Sequence, residues 1–221
     1  MPPSRTNQLL LLGHRGARGL RSIPENSLAA FDRALADGCH GFEFDVRLTA
    51  DGHGVIFHDP RVNRLEIAKT SSEKLKDLAD LREVLSRYRD RAFLDIELKV
   101  AGLEKLTVDL LKEFPPARGF VVSSFLPSVL DSLYGEDPSV PLGLICDRKS
   151  QLMWWTKLPV NYVITHTALL NAAVIDQLRT SGKKVLVWTV NTPMQMQRFA
   201  DLRVDGIISD KTELLCRTLR D

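Results

Sequence analysis

Two carboxylates sit two residues apart in Phe42-Glu43-Phe44-Asp45-Val46, a segment that alternates apolar and acidic side chains. In a strand that period of two puts Glu43 and Asp45 on one face and the apolar residues on the other. If the acidic face is buried, each unpaired group costs roughly 2 kcal/mol or more, so something positive must neutralise the pair. A divalent cation would do so. Glu97, in Leu94-Asp95-Ile96-Glu97-Leu98-Lys99, offers a third oxygen ligand, with Lys99 two residues on and on the same side. An all-oxygen set favours Mg²⁺, Ca²⁺ or Mn²⁺ over zinc. The alternative is internal ion pairing of these carboxylates with Arg15, Arg47 or Lys99 and no metal. Asp95 is expected to be out of phase with Glu97, to face the helices, and to act as a cap or salt-bridge partner. His14 and His58 complete the set. Two imidazoles titrating near neutrality, one on either side of a cation-held phosphorus, can take up and return a proton during an in-line displacement.

Such a set works only if separate strands end together. Short apolar runs recur along the chain, separated by segments of helical length, which is the pattern of repeated strand-helix units around a parallel sheet. The predicted strands are Leu9–Leu12, Gly41–Leu48, Ala92–Leu98, Gly119–Ser123, Leu142–Cys146, Asn161–Thr165, Lys184–Val190 and Asp205–Ser209. Pro24-Glu25-Asn26 is read as the opening of the first helix, with Gly38 as its stop. Further helices are predicted over Glu73–Tyr88, Leu103–Phe114, Pro127–Tyr134, Gln151–Thr156, Asn171–Ser181, Thr192–Ala200 and Thr212–Leu219. The fold class is therefore α/β, a closed (β/α)₈ TIM-type barrel, whose chemistry belongs at the carboxyl ends of the strands. An open doubly wound sheet is disfavoured, because neither GxGxxG nor GxxxxGK[ST] occurs. Asp51-Gly52 reads as a tight turn that folds Gly54–Phe57 back along the second strand and returns His58 to the mouth.

With 44% apolar and 26% charged residues and a mean hydropathy of −0.10, the 221-residue chain has the makeup of a globular protein and is expected to form one domain, residues 1–221. A net charge of +2 is too balanced for a nucleic-acid partner. Leu9-Leu10-Leu11-Leu12 is too short for a membrane span or a signal core. Cys39, Cys146 and Cys216 are odd in number and scattered, which argues against a disulfide framework and for a reducing, cytoplasmic home.

His14-Arg15-Gly16, Pro24-Glu25-Asn26-Ser27, Glu43-x-Asp45-Val46, Asp51-Gly52 and His58-Asp59 resemble, in that order, the signature of the glycerophosphodiester phosphodiesterase family. Leu94–Lys99, Ser123-Ser124-Phe125, Val187–Asn191 and Asp205–Asp210 continue the likeness over nearly the whole chain. The resemblance implies metal-dependent cleavage of a small-molecule glycerophosphodiester to glycerol 3-phosphate and an alcohol. It further implies Glu43, Asp45 and Glu97 as metal ligands, His14 and His58 as the acid-base pair, Arg15 and Lys99 on the phosphate, and Phe125 and Trp188 along the substrate cleft.

The stretch Pro60–Arg91 leaves room for only a reduced cap insertion after the second strand. An open mouth of that kind admits lysophospholipids as alternative substrates, and a catalytically silent binding barrel is the other alternative. His166 is expected at the mouth in a capping, packing or substrate-contacting role, His40 and His53 at the surface, and Trp154-Trp155 in a packed fifth helix rather than a lipid-facing patch.

Overall fold

The computed structural model describes residues 8–219; the ends of the expected 1–221 domain, residues 1–7 and 220–221, lie outside the described residues. Eight parallel strands form the barrel: β1 (Leu10–Gly13), β2 (Gly41–Leu48), β3 (Phe93–Leu98), β4 (Phe120–Ser124), β5 (Leu142–Cys146), β6 (Tyr162–His166), β7 (Lys184–Trp188) and β8 (Gly206–Ser209). Each pairs with the next, and β1 closes the ring by pairing with β8 through Leu10↔Gly206 and with β2 through Leu12↔Gly41. Helices α1 (Leu28–Ala36), α2 (Leu81–Tyr88), α3 (Glu104–Glu113), α4 (Pro127–Glu136), α5 (Lys149–Leu152), α6 (Ala172–Thr180), α7 (Pro193–Asp201) and α8 (Thr212–Leu219) follow the strands in turn.

Alternation along the strands sorts side chains into two cores. Phe42, Phe44 and Val46 point outward into the layer beneath the helices, where Phe31 stacks on Phe42 with ring centroids 4.2 Å apart and Tyr88 meets Phe42 edge-on. Inside the barrel, Leu12, Phe93, Val121, Ile145, Tyr162, Ile164, Leu186 and Ile208 form one cluster. Seven strands contribute to that cluster and β2 does not, because its inward positions are Gly41, Glu43 and Asp45. The acidic strand thus interrupts an otherwise apolar filling, and the site grows from that interruption.

Two expected helices are corrected. The segment Glu73–Tyr88 is not one helix: a 3₁₀ turn covers Ser72–Leu75, and α2 starts only at Leu81, capped by Asp80, whose side chain accepts the Glu83 N–H. The backbone between them is occupied elsewhere. Ile56 N–H bonds to Ala79 O, and Val55 bridges Asp80, so this stretch serves as a partner for the hairpin arm Gly54–Ile56. Likewise α1 begins at Leu28 with Ser27 as its cap, so Pro24-Glu25-Asn26 precede the helix as a loop, Asn26 with φ +55°. β1 runs one residue later than predicted and β7 ends at Trp188. The hairpin itself is as expected, with Val46↔Ile56 and Leu48↔Gly54 antiparallel. The reduced cap is a two-residue ladder, Arg61–Val62 with Leu65–Glu66, and two short 3₁₀ turns.

The fifth helix is α5 followed by a 3₁₀ turn, Met153–Thr156. Trp155 packs against the core there, while Trp154 is 43% exposed with Lys157 over its ring. His40 is not a free surface residue: its Nδ1 accepts the Leu11 N–H at the amino end of the barrel. The three cysteines are buried, and the Cys39 and Cys216 sulfurs, 3.7 Å apart, stand well beyond the roughly 2.05 Å of a disulfide.

Candidate active site

The register of β2 with β3 places Glu43 beside Asp95 and Asp45 beside Glu97, all four on the inner face. Asp95 therefore does not face the helices. It lies two residues before Glu97, so the strand period that pairs Glu43 with Asp45 also pairs Asp95 with Glu97, and its side chain, 0% exposed, lines the cleft. The Ser123 hydroxyl of β4 donates to its Oδ1 at 2.6 Å.

Positive groups surround the upper pair. Lys99 Nζ lies 2.6 Å from Glu97 Oε1 and 3.2 Å from Asp45 Oδ1, and Arg15 Nε lies 3.2 Å from Asp45 Oδ2. Asn26 Nδ2 donates to the same Asp45 oxygen at 2.8 Å, an interaction made available by the left-handed backbone of Asn26. Arg15 is also left-handed, φ +50°, and in that conformation its backbone N–H donates to Glu43 Oε2 at 2.9 Å while its guanidinium reaches Glu25 Oε1 at 2.7 Å. Two consecutive left-handed residues, Arg15 and Gly16, follow β1; at Gly16 an added Cβ would meet the Ala30 carbonyl carbon at 2.6 Å.

Each histidine is oriented by a carboxylate. His14 Nδ1 is 2.7 Å from Asp210 Oδ1, which leaves Nε2 facing the cleft, 3.8 Å from Glu43 Oε2. His58 Nδ1 is 2.7 Å from Asp59 Oδ1, and Arg47 Nε donates to the His58 carbonyl at 2.7 Å. Asp210 is itself anchored, since Asn191 Nδ2 donates to its Oδ2 at 2.7 Å and Asn191 Oδ1 accepts its N–H at 2.9 Å.

The electrostatics follow from burial. Burial, the Asp45 charge and the Glu97 charge push the Glu43 carboxyl well up, and burial with Asp45 pushes Glu97 up to about 7. Burial also raises Asp45, but Lys99 and Arg15 outweigh it and hold that carboxyl below its ordinary value. Burial lowers His14, partly opposed by its hydrogen bond to Asp210; burial raises Asp210, but the same hydrogen bond and the His14 charge bring it down to about 2.

A cleft of about 120 Å³ collects His14, Arg15, Glu43, His58, Glu97 and Lys99, with Phe125 and Trp188 on its apolar side. Phe125 and Trp188 meet edge to face at 5.8 Å, and Lys99 Nζ stands 5.8 Å from the Phe125 ring centre. His166 caps the Ala168 N–H and packs edge-on against Trp188. A larger depression, about 600 Å³, opens at the opposite, amino end of the strands, lined by Phe93, Arg118, Tyr162 and Lys184 among others, and among the described residues it gathers no comparable set of converging carboxylates and imidazoles.

The donor set fits a divalent cation. Ligand oxygens of Glu43, Asp45 and Glu97 lie within 4.8 Å of one another, and Glu43 Oε1, buried, has no hydrogen-bond donor among the described residues. Four inward carboxylates, Glu43, Asp45, Asp95 and Glu97, face two cationic side chains, Arg15 and Lys99. A single divalent ion would supply the difference.

Sequence reasoning takes Glu25 and Asn26 only as a helix opening and gives Ser123, Asn191 and Asp210 no individual role, whereas all five orient the charged groups from behind. Asn191 and Asp210 carry a local signal, polar residues just past the ends of β7 and β8 where a barrel mouth lies, whereas Ser123 lies within β4 and Glu25 and Asn26 stand just ahead of α1.

Residues 14–115 and 96–214 match the Glycerophosphoryl diester phosphodiesterase family. A glycerophosphodiester phosphodiesterase of Caldanaerobacter subterraneus subsp. tengcongensis is 29% identical, covering 96% of this chain and 98% of that protein. Among solved structures, an Oleispira antarctica phosphodiesterase in complex with sn-glycerol-3-phosphate superposes with a TM-score of 0.85 at 26% identity, covering 96% of this chain and 97% of that one. A Thermotoga maritima glycerophosphodiester phosphodiesterase gives 0.81 at 26% identity over 95% of this chain and 97% of that one. A carboxylate cluster able to hold a metal, two carboxylate-oriented imidazoles and an inward arginine and lysine at the mouth of a closed barrel therefore go with a matching sequence, and the chain belongs to the glycerophosphoryl diester phosphodiesterase family and is an enzyme of that class.

Proposed function

We propose that this chain hydrolyses glycerophosphodiesters to glycerol 3-phosphate and an alcohol, as one catalytic domain in the cytoplasm. The observation that carries the reading is the pair of imidazoles, each with Nδ1 tied to a carboxylate, at a cleft whose floor holds a three-carboxylate cluster. Glu43, Asp45 and Glu97 would hold Mg²⁺, Ca²⁺ or Mn²⁺, which supplies a Lewis acid for phosphate and hydroxyl oxygens. Arg15 and Lys99, already inward, bind the non-bridging phosphate oxygens and offset charge that builds on them. With their Nδ1 atoms engaged, His14 and His58 present Nε2 to the substrate; one accepts the proton of the glycerol hydroxyl that attacks phosphorus and the other protonates the departing alkoxide, and water then opens the resulting cyclic phosphate to glycerol 3-phosphate. Trp188 and Phe125 line the side against which glycerol carbon atoms pack.

The test is direct. Protein stripped with EDTA and supplied with glycerophosphocholine, glycerophosphoethanolamine or lysophosphatidylcholine should form no glycerol 3-phosphate or lysophosphatidic acid until Mg²⁺, Ca²⁺ or Mn²⁺ is added. A product with glycerophosphodiesters supports the reading; a product with the lysolipid alone shifts it to lysophospholipase D chemistry. No metal-restored product from any of the three would sink it.

A further inference from the structure

Below the upper pair of carboxylates lies a second pair with which neither Arg15 nor Lys99 makes a side-chain ion pair. Glu43 and Asp95 are register partners on β2 and β3, 4% and 0% exposed. Each has one oxygen satisfied by a neutral donor: the Arg15 backbone N–H on Glu43 Oε2 and the Ser123 hydroxyl on Asp95 Oδ1. Each has one oxygen, Glu43 Oε1 and Asp95 Oδ2, with no donor among the described residues. Lys99 and Arg15 make their ion contacts with the upper pair, Asp45 and Glu97, and with Glu25. A buried carboxyl with a bare oxygen, clamped so that it cannot turn away and lining the cleft, is neutralised either by a proton, as burial lifting Asp95 to about 7 favours, or by a positive partner that displaces that proton. Asp95 stands outside the group whose oxygens converge within 4.8 Å, so it acts through the field and through Glu43 rather than as a ligand.

We infer that Asp95, held by Ser123, is a positioning residue for the cation site: its carboxylate, lying beside Glu43 on the inner face, deepens the well in which a divalent ion sits and turns Glu43 Oε1 upward toward that ion. The inference rests on the metal-dependent reading above. Partners behind metal ligands of this kind typically change metal affinity by about 10 to 100-fold when altered. If Asp95 served only as a hydrogen-bonding spacer, asparagine, of the same shape and still able to pair with Ser123, would leave the site unchanged.

The experiment is calorimetric titration of the full chain with Mn²⁺ and with Ca²⁺, without substrate, comparing wild type, Asp95→Asn and Ser123→Ala. Asp95→Asn is expected to bind both ions about 10 to 100-fold more weakly, while its metal-free melting temperature stays the same or rises, because a buried carboxyl that burial already disfavours in its charged form is replaced by a neutral group of the same shape. A role as a hydrogen-bonding spacer alone would leave both ion affinities as in the wild type. Ser123→Ala, which frees the carboxyl to rotate, should lose affinity by a smaller factor. Affinities within twofold of wild type for Asp95→Asn overturn the inference; if that variant does not fold, an unchanged Ser123→Ala does so. A wild-type protein that binds neither ion removes the metal-dependent reading and this inference with it, whereas normal wild-type binding with an unaffected Asp95→Asn removes only the latter.

Discussion

His14 and His58 come from opposite kinds of structure and are prepared in the same way. His14 follows a core strand, with a side chain 11% exposed; His58 ends a hairpin arm at the rim, with a side chain 36% exposed. In both, a carboxylate 2.7 Å from Nδ1 fixes which nitrogen is left for chemistry. Replacing either imidazole should therefore remove proton transfer while sparing the carboxylates that would bind metal: His14→Ala and His58→Ala are each expected to cut kcat about 10² to 10⁴-fold with Mn²⁺ affinity unchanged. An active double variant would remove both from the mechanism. Asp210→Asn tests the orientation itself. Because Asn191 donates to one carboxyl oxygen and Asn191 Oδ1 accepts the Asp210 N–H, the amide that replaces it stays in place. It can then leave the wrong imidazole nitrogen protonated, so kcat should fall even at temperatures well below the variant's melting temperature, which loss of a carboxylate held down to about 2 also lowers. Steady-state kinetics beside a thermal melt separates this from unfolding.

The elements explain which of these residues a sequence can reveal. Glu43, Asp45 and Glu97 were legible because a strand has a single strict period and because acidic positions inside an apolar run have few structural excuses. The same period also applied to Asp95, which shares the face of Glu97. The hairpin was legible from Asp51-Gly52, since Gly52 sits at φ +85° where other residues are strained. The Glu73–Tyr88 helix was misread because its apolar spacing suits a helix, while the hairpin arm claims the Ala79 carbonyl, a pairing between positions 23 apart that no local pattern encodes. Asn26 was read as part of a helix start for the same kind of reason: its tie to Asp45 is made across 19 positions. The hairpin that returns His58 is pinned by Asp51, whose carboxylate accepts from Thr49 Oγ1 and from the Ser72 backbone and hydroxyl. The Thr49 hydroxyl, then the Ser72 N–H, hold its pKa below the ordinary carboxylate value, despite slight desolvation. A value depressed on folding contributes stability that is complete above the unfolded value, about 3.9, and fades as pH falls through the folded one. Asp51→Asn should thus lower the melting temperature at pH 7, with the gap to wild type narrowing as the pH drops below about 4. A gap constant from pH 7 to pH 3 would show that the charge of Asp51 contributes nothing.

At the scale of the whole molecule, the barrel must close tightly enough to bring β1 and β3 against opposite edges of the acidic strand. Gly41 is where this happens. It pairs with Leu12 on one side and Phe93 on the other, at the foot of the inward column that continues as Glu43 and Asp45. A Cβ built on Gly41 would stand 1.8 Å from the Phe93 carbonyl oxygen, a backbone atom that cannot rotate away. Gly41→Ala is therefore expected to destabilise the fold by at least about 1–3 kcal/mol, the usual cost of overfilling a packed interior, and to lower cation affinity in whatever fraction still folds, because β2 can yield only by shifting its whole inward column. Gly135 is the internal comparison. It lies inside α4 with nothing within 4 Å of an added Cβ, so Gly135→Ala should stabilise by about 0.5–1 kcal/mol through helix propensity and leave cation binding as it was. Urea unfolding of the two variants beside wild type decides the matter. Opposite signs locate the closure of the barrel, and with it the spacing of the carboxylates, at the seam of β1, β2 and β3; a Gly41→Ala protein as stable as wild type would place that control elsewhere.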